Sequence, residues 1–272
     1  MNINWRKVFV ISIIVICILL INLAVYFKYM EKDKTVRKTE HITVDSVSLK
    51  ENFNNIFDNS IEYQNNNTSS AMKKDFNKEL VYTNYSRQSK KNGQYDININ
   101  IPYININNGI IENVNKEIEK IFYTKANEIQ IKESKIETIY NVKYKAYVND
   151  NILSLVISSN LKEGTNSQRL IIKTYNYNIS SNELLDFNRV LNYRELNSKE
   201  VQNKITETIK ESQRTSSAYQ ELGYNKFLRD INDDMYKLEN TKVYFLGEGK
   251  ALYVLYPYGN SNYTTELDLV IM

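Results

Sequence analysis

The 272 residues carry 35 Lys and Arg against 32 Asp and Glu, a net charge of +3 with the two signs interspersed, which gives no basic stripe for a nucleic acid. The chain has one Cys (Cys17) and one His (His41), which excludes Ser–His and Cys–His nucleophilic pairs, disulfide frameworks and Cys/His zinc sites. Asn, Ile, Lys and Tyr are abundant and Gly and Pro scarce, the codon bias of an AT-rich bacterial genome, and sequons such as Asn178 are expected by chance in such a composition.

The first element is the uncharged run Val8–Phe27, VFVISIIVICILLINLAVYF, interrupted only by Ser12, Cys17 and Asn22. Twenty residues at about 1.5 Å each span roughly 30 Å, the thickness of a bilayer's hydrocarbon core. Arg6, Lys7 and Trp5 stand at one end and Tyr26, Phe27 and Tyr29 at the other, as at membrane interfaces. Bulky residues occupy the positions where a signal peptidase needs small ones, and Cys17 lies deep in the run without a lipobox, so the run reads as an uncleaved single-pass anchor. Residues 1–7 form a short stub. Lys28, Lys32, Lys34, Arg37 and Lys38 follow the span, so the flanking charges alone leave its orientation open.

Residues 28–93 read as a polar stalk, with one sticky stripe at Leu49, Phe53, Ile56 and Phe57 and a short helix at Ala71–Leu80. Regular structure is expected from Gln94. Tyr95, Ile97, Ile99, Ile101 and Tyr103 alternate with polar residues as a strand, and Pro102 puts that strand at an edge or an end. Gly109 opens a helix with Ile110, Val114, Ile118, Ile121, Phe122 and Ile129 on one face. Three strands follow, around Val142–Val148, Leu153–Ile157 and Leu170–Tyr177. Their short turns, Asn149-Asp150-Asn151 and Glu163–Asn166, imply an antiparallel meander.

Leu184–Leu191 is an apolar link ending the first half of the domain, 94–191. In the second half, 192–272, Asn197 with Glu200 caps a helix through Val201, Ile205, Ile209 and Ser212. A looser region around Phe227, Leu228 and Ile231 leads to three closing strands, Lys242–Leu246, Ala251–Tyr256 and Thr265–Ile271, the first two joined by the turn Gly247–Lys250. Strand runs broken by single helices define an α+β fold with antiparallel sheets and two main amphipathic helices.

Chemistry is sparse. Asp230–Asp234 resembles a calcium loop but has Met235 where the glycine belongs and Thr241 at the last ligand position, so it reads as a turn. Asp186, Glu195, Asp230, Asp233, Asp234 and Glu248 supply carboxylates for glycoside chemistry, but nothing in the sequence selects a pair. No catalytic residue, metal ligand or cofactor is assigned. The densest aromatic patch, Leu252–Gly259 with Tyr263, offers Tyr256, Tyr258 and Tyr263 as candidate ligand-binding residues, against the alternative that alternate tyrosines pack the core.

The strand ending IPYI, the capped helix, the meander and the closing VYFLGEGKALYVLYPYG resemble the extracytoplasmic domain family shared by the RsiV anti-sigma factor and the PdaC peptidoglycan deacetylase. Thr174-Tyr175-Asn176 leading into Leu184-Leu185, and the Tyr-Pro-Tyr-Gly ending, carry most of the likeness, which covers Gln94–Met272. The resemblance implies an α+β domain of unknown function outside the membrane of a Gram-positive bacterium, a lysozyme-binding sensor in the RsiV-like members. The seven residues before the span are too few for a sigma-binding segment, and no deacetylase domain follows Met272. The expected function is therefore a non-enzymatic binding or sensing ectodomain at the cell wall. Its expected partners are the lipid bilayer and a wall glycan, a lysozyme-like protein or a membrane protein. The alternatives are a structural component of a membrane complex and a carboxylate-dependent wall-modifying enzyme.

Overall fold

Strand alternation builds the centre of the molecule, and in the computed structural model it extends further toward the N-terminus than the sequence pattern suggests. The structure describes residues 53–64, 73–132, 136–260 and 262–272; the run Val8–Phe27, Cys17 and His41 lie outside them. Among the described residues no helix is long and apolar enough to cross a membrane. All of them belong to one compact unit, Lys50–Met272.

A seven-stranded sheet comes first: β1 (Ser60–Tyr63), β2 (Val81–Lys91), β3 (Tyr95–Ile104), β4 (Thr138–Asn149), β5 (Ile152–Glu163), β6 (Arg169–Asn178) and β7 (Glu183–Leu184). Its order is β2-β3-β4-β5-β6-β7, and β1 also pairs with β4. The expected antiparallel meander is present in β4–β5–β6. The sheet as a whole is mixed, however, because β3 pairs with β4 in parallel from Tyr95↔Thr138 to Ile99↔Val142. The connection between them is a helix, which returns the chain to the same end of the sheet and so forces a parallel pairing. That ladder ends before Pro102, so the proline needs no N–H on that side.

The stalk reading fails for the described residues before Gln94. Strand β2 pairs along β3 from Val81↔Ile104 to Lys91↔Tyr95, and β1 pairs with β4 just beyond the end of the β3 ladder, at Ser60↔Lys145 to Tyr63↔Val148. Phe53, Phe57, Leu80 and Val81 are all buried. Lys145 is buried beneath β1, its ammonium 3.0 Å from the Asp58 carboxylate and from Ser60 Oγ and 3.7 Å from Glu62. The expected helix at Ala71–Leu80 is absent from residues 73–80, which form a bridge from Lys73 to Ile106 and turns.

The crossover helix is α1 (Gly109–Ile118), a π-helical turn (Glu119–Tyr123) and α2 (Thr124–Ile131). Asn108 caps it by accepting the Ile110 N–H at 2.8 Å. The buried face is Ile111, Val114, Ile118, Phe122, Ala126 and Ile129, which corrects the expected one at Ile110, an exposed residue, and the wide turn shifts the helical phase only after Ile118. Buried Asn115 takes both backbone groups of Ile104, where β3 has run past its partner β4.

The second half supplies α3 (Phe187–Tyr193), α4 (Ser198–Glu221), and a three-stranded antiparallel sheet of β8 (Tyr244–Leu246), β9 (Leu252–Asn260) and β10 (Tyr263–Ile271) in the order β10-β9-β8. Asn197 caps α4 as expected, bonding the N–H groups of Lys199 and Glu200. Val201, Ile205 and Ile209 are buried, and the last buried position is Ser216 instead of Ser212.

The result is four layers. Helix α1–α2 covers one face of the large sheet through Ile97, Val142, Tyr144 and Leu155. The other face meets the small sheet, with Tyr147, Val156 and Ile172 against Phe245 and Leu255 and with Phe53 and Phe57 in the same cluster. Helices α3 and α4 close the outer face of the small sheet over Leu246, Val254, Tyr256 and Val270.

A polar seam joins the sheets. The Tyr244 N–H donates to Thr174 Oγ1 at 3.2 Å, Asn176 Nδ2 donates to the Tyr244 carbonyl at 2.9 Å, and the Leu246 N–H donates to Ser154 Oγ at 3.2 Å. Ser154 in turn donates to Asn176 Oδ1 at 2.6 Å. These side chains satisfy the outer edge of β8, so Thr174 and Asn176, singled out in the sequence, act in the fold. Asn176→Ala leaves the part-buried Tyr244 carbonyl without its donor and the Ser154 hydroxyl without its acceptor, and is expected to cost about 1–3 kcal/mol in urea unfolding. An unchanged midpoint would mean that the seam contributes nothing.

Candidate functional site

The candidate tyrosines lie on and beside β9, whose period of two places Val254, Tyr256 and Tyr258 on the outer face of the small sheet. Register with β10 sets Tyr258 opposite Glu266 and Tyr256 opposite Asp268, two carboxylates among aromatics. A cation is needed there, and the chain brings one from the irregular segment after α4. Helix α4 ends at Glu221 and is closed off by Gly223, whose φ of 84° lets the Tyr224 N–H turn back onto the Tyr219 carbonyl at 3.0 Å. From there a strap, residues 224–242, crosses the sheet through two 3₁₀ turns, Asp234–Tyr236 and Leu238–Asn240.

Arg229, 7% exposed, is the pin of this strap. Its Nε and Nη2 donate to the two oxygens of Asp268 at 3.1 Å each, a bidentate fork, and Nη1 donates to Glu266 at 2.5 Å and to the Phe227 carbonyl at 2.6 Å. Glu266 also accepts the Phe227 N–H at 3.2 Å, so the backbone of Phe227 is gripped on both sides. Burial favours the neutral form of Arg229, but the bonds to Asp268 and Glu266 outweigh it and raise its pKa further.

The three candidate tyrosines have different fates. Tyr256 is buried, edge-on to Tyr236 at 5.1 Å and with its hydroxyl 3.4 Å from Thr241 Oγ1, so it packs in the core. Tyr258 is half-buried: the Arg229 guanidinium lies 4.7 Å from its ring centroid and Phe227 stacks on it at 6.2 Å. Tyr263 is 37% exposed and meets Phe227 edge-to-face at 5.2 Å. Tyr263 is thus the exposed ring of this cluster, with Phe227 and Tyr258 half-buried behind it. The sequence reading placed Phe227 in a loose region and passed over Arg229. A usable signal was the register of Tyr-x-Tyr with Glu-x-Asp on neighbouring strands.

The acidic candidates are engaged in local structure. Asp186 accepts the Arg189 N–H at 2.9 Å, Asp230 that of Asn232 at 2.9 Å and Asp233 that of Met235 at 3.0 Å, while Asp234 pairs with Lys237 at 2.6 Å. Glu195 occupies a left-handed turn position and Glu248 the β8–β9 turn. Among the described residues no three His, Cys, Asp or Glu are placed to hold a metal ion.

Burial raises the phenols of Tyr236 and Tyr256. Burial takes that of Tyr244 to about 12, and that of Tyr63, which also donates to Glu79, to about 12. A folded-state pKa above the unfolded value of 10.0 gives stability that is complete below pH 10 and drains as pH rises through about 12. The melting temperature is therefore expected to fall across that window, tracked by tyrosinate absorbance; a flat profile would contradict the burial of these phenols.

An α+β domain with a helix–sheet–sheet–helix layering and an aromatic surface on an ion-paired base is the class of protein defined so far. No protein-family model and no curated protein matches the chain. Among solved structures, a DUF3298 family protein from Pseudomonas aeruginosa PAO1, a domain of unknown function, is similar at 12% identity and a TM-score of 0.37, over 70% of this chain and 88% of that one. The site therefore rests on this chain's own residues.

Proposed function

We propose that the chain is a membrane-anchored, extracytoplasmic binding or sensing domain of the bacterial cell wall, without enzymatic activity. The observation that carries this reading is the exposed Tyr263 ring backed by half-buried Phe227, whose backbone is clamped by Arg229 and Glu266. A rigid aromatic face pays little entropy on binding and suits a sugar ring or a protein side chain. The uncharged run Val8–Phe27 supports the anchor. The likeness in order of parts to the domain of RsiV and PdaC supports the outer side. Protease added to intact protoplasts is expected to cleave the domain while a cytoplasmic marker survives; protection until lysis would end the reading.

A further inference from the structure

Three exposed apolar side chains fall within seven residues where α4 passes into the strap. Leu222 is 51% exposed, Tyr224 60% and Leu228 54%, all within the sequence LGYNKFLR, residues 222–229. Leu228 stands between Phe227 and Arg229, which both engage the sheet, so it projects away from it. The patch is held firmly: Tyr224 packs edge-to-face on Tyr219 at 5.7 Å, Gln220 Nε2 donates to the Lys226 carbonyl at 3.0 Å, and the Arg229 pin follows. Leucines and a tyrosine around a lysine form the composition of a membrane interface, where apolar bodies enter the acyl boundary and polar tips stay among headgroups. The chain also restricts what this patch can meet. Residues 28–52 separate the run Val8–Phe27 from the domain, and 25 residues at about 3.3–3.6 Å each reach at most roughly 90 Å. A bilayer is then always within range at high effective concentration.

We propose that Leu222, Tyr224 and Leu228 dock the domain onto the outer surface of the bilayer that anchors it, a conclusion that rests on the anchored reading above. Docking leaves the Tyr263–Phe227 pair at the membrane face, within reach of membrane-proximal ligands.

The test uses the full-length protein in phosphatidylcholine vesicles, either plain or brominated in the acyl chains. Trp5 is the only tryptophan and flanks the run Val8–Phe27, so its emission in the wild type reports the anchor. Two variants in a Trp5→Phe background carry Leu228→Trp or Ile110→Trp. Ile110 is exposed on α1, across the four layers from the strap, at about 10 Å per layer. Bromination is expected to quench Trp5 and the Leu228→Trp indole and to leave the Ile110→Trp indole bright. Tyr224→Trp serves as a second reporter should Leu228→Trp disturb the strap. Quenching of Trp5 with equal emission from the Leu228→Trp and Ile110→Trp proteins would overturn docking and leave the anchor standing. An unquenched Trp5 would overturn both. A Leu228→Trp indole that ignores lipid but shifts to the blue on added insoluble wall would assign the patch to glycan and also overturn docking.

Discussion

A chain cut to residues 94–272 is expected to lose cooperative folding, whereas residues 50–272 retain it. The shorter piece contains every strand and helix of the domain that the sequence marks clearly, yet it lacks β1 and β2. Without β2, the β3 edge from Tyr95 to Ile104 is uncovered, and the buried Leu80 and Val81 go with it. Phe53 and Phe57 leave the cluster they share with Tyr147, Val156 and Phe245, and Lys145 loses the Asp58 carboxylate. Four large side chains at about 1.5–3 kcal/mol each amount to roughly 6–12 kcal/mol, as much as the whole net stability of a typical domain. Urea unfolding followed by circular dichroism decides the matter. A sigmoidal transition for 94–272 with the midpoint of 50–272 would show that the N-terminal strands are accessory.

The second large effect is expected at Asp268. Asp268→Ala removes both acceptors of the Arg229 fork and leaves a guanidinium that is 7% exposed with Glu266 as its remaining carboxylate. Breaking one side of a buried ion pair costs about 3–5 kcal/mol. In a domain of this size that lowers the melting temperature by roughly 6–20 °C. The loss comes from a buried cation left with half of its partners more than from the pair itself, so the triple replacement Arg229→Met, Asp268→Leu and Glu266→Gln, which leaves no unpaired charge, is expected to recover much of it. Equal destabilisation by the single and triple variants would show that the bonds, and not the under-paired cation, carry the effect.

The sequence was most legible where one strand face is apolar and the other polar. Tyr95–Ile104 and the β4–β5–β6 meander announce themselves by alternation, and Asn197 announces the start of α4. Strand β2 does not, because VYTNYSRQSKK is an edge strand with mostly exposed residues and a register shift between Thr83 and Tyr85, so its period is blurred. The parallel β3–β4 pairing follows from the crossover helix and leaves no local mark. The π-turn at Glu119–Tyr123 hides in the same way, since it changes the phase of a helix whose composition stays helical.

The site was half legible. Aromatic density pointed to the correct strand, but alternation alone does not say which face looks at α4, and Tyr256 fell into the core. Phe227 and Arg229 are 29 and 27 residues before Tyr256 in sequence (256 − 227 and 256 − 229), and only the fold brings their strap across the sheet.

Retention on isolated insoluble cell wall tests the central claim most directly, comparing the wild-type protein with Tyr263→Ala and Phe227→Ala. The wild type is expected to co-sediment with the wall. Each variant is expected to bind about tenfold more weakly, the equivalent of about 1.4 kcal/mol, with Tyr263→Ala lowering the melting temperature by only a few degrees because that ring is 37% exposed and gives up one edge-to-face contact. A wild type that stays in the supernatant, or a Tyr263→Ala protein retained as well as the wild type, would contradict the account.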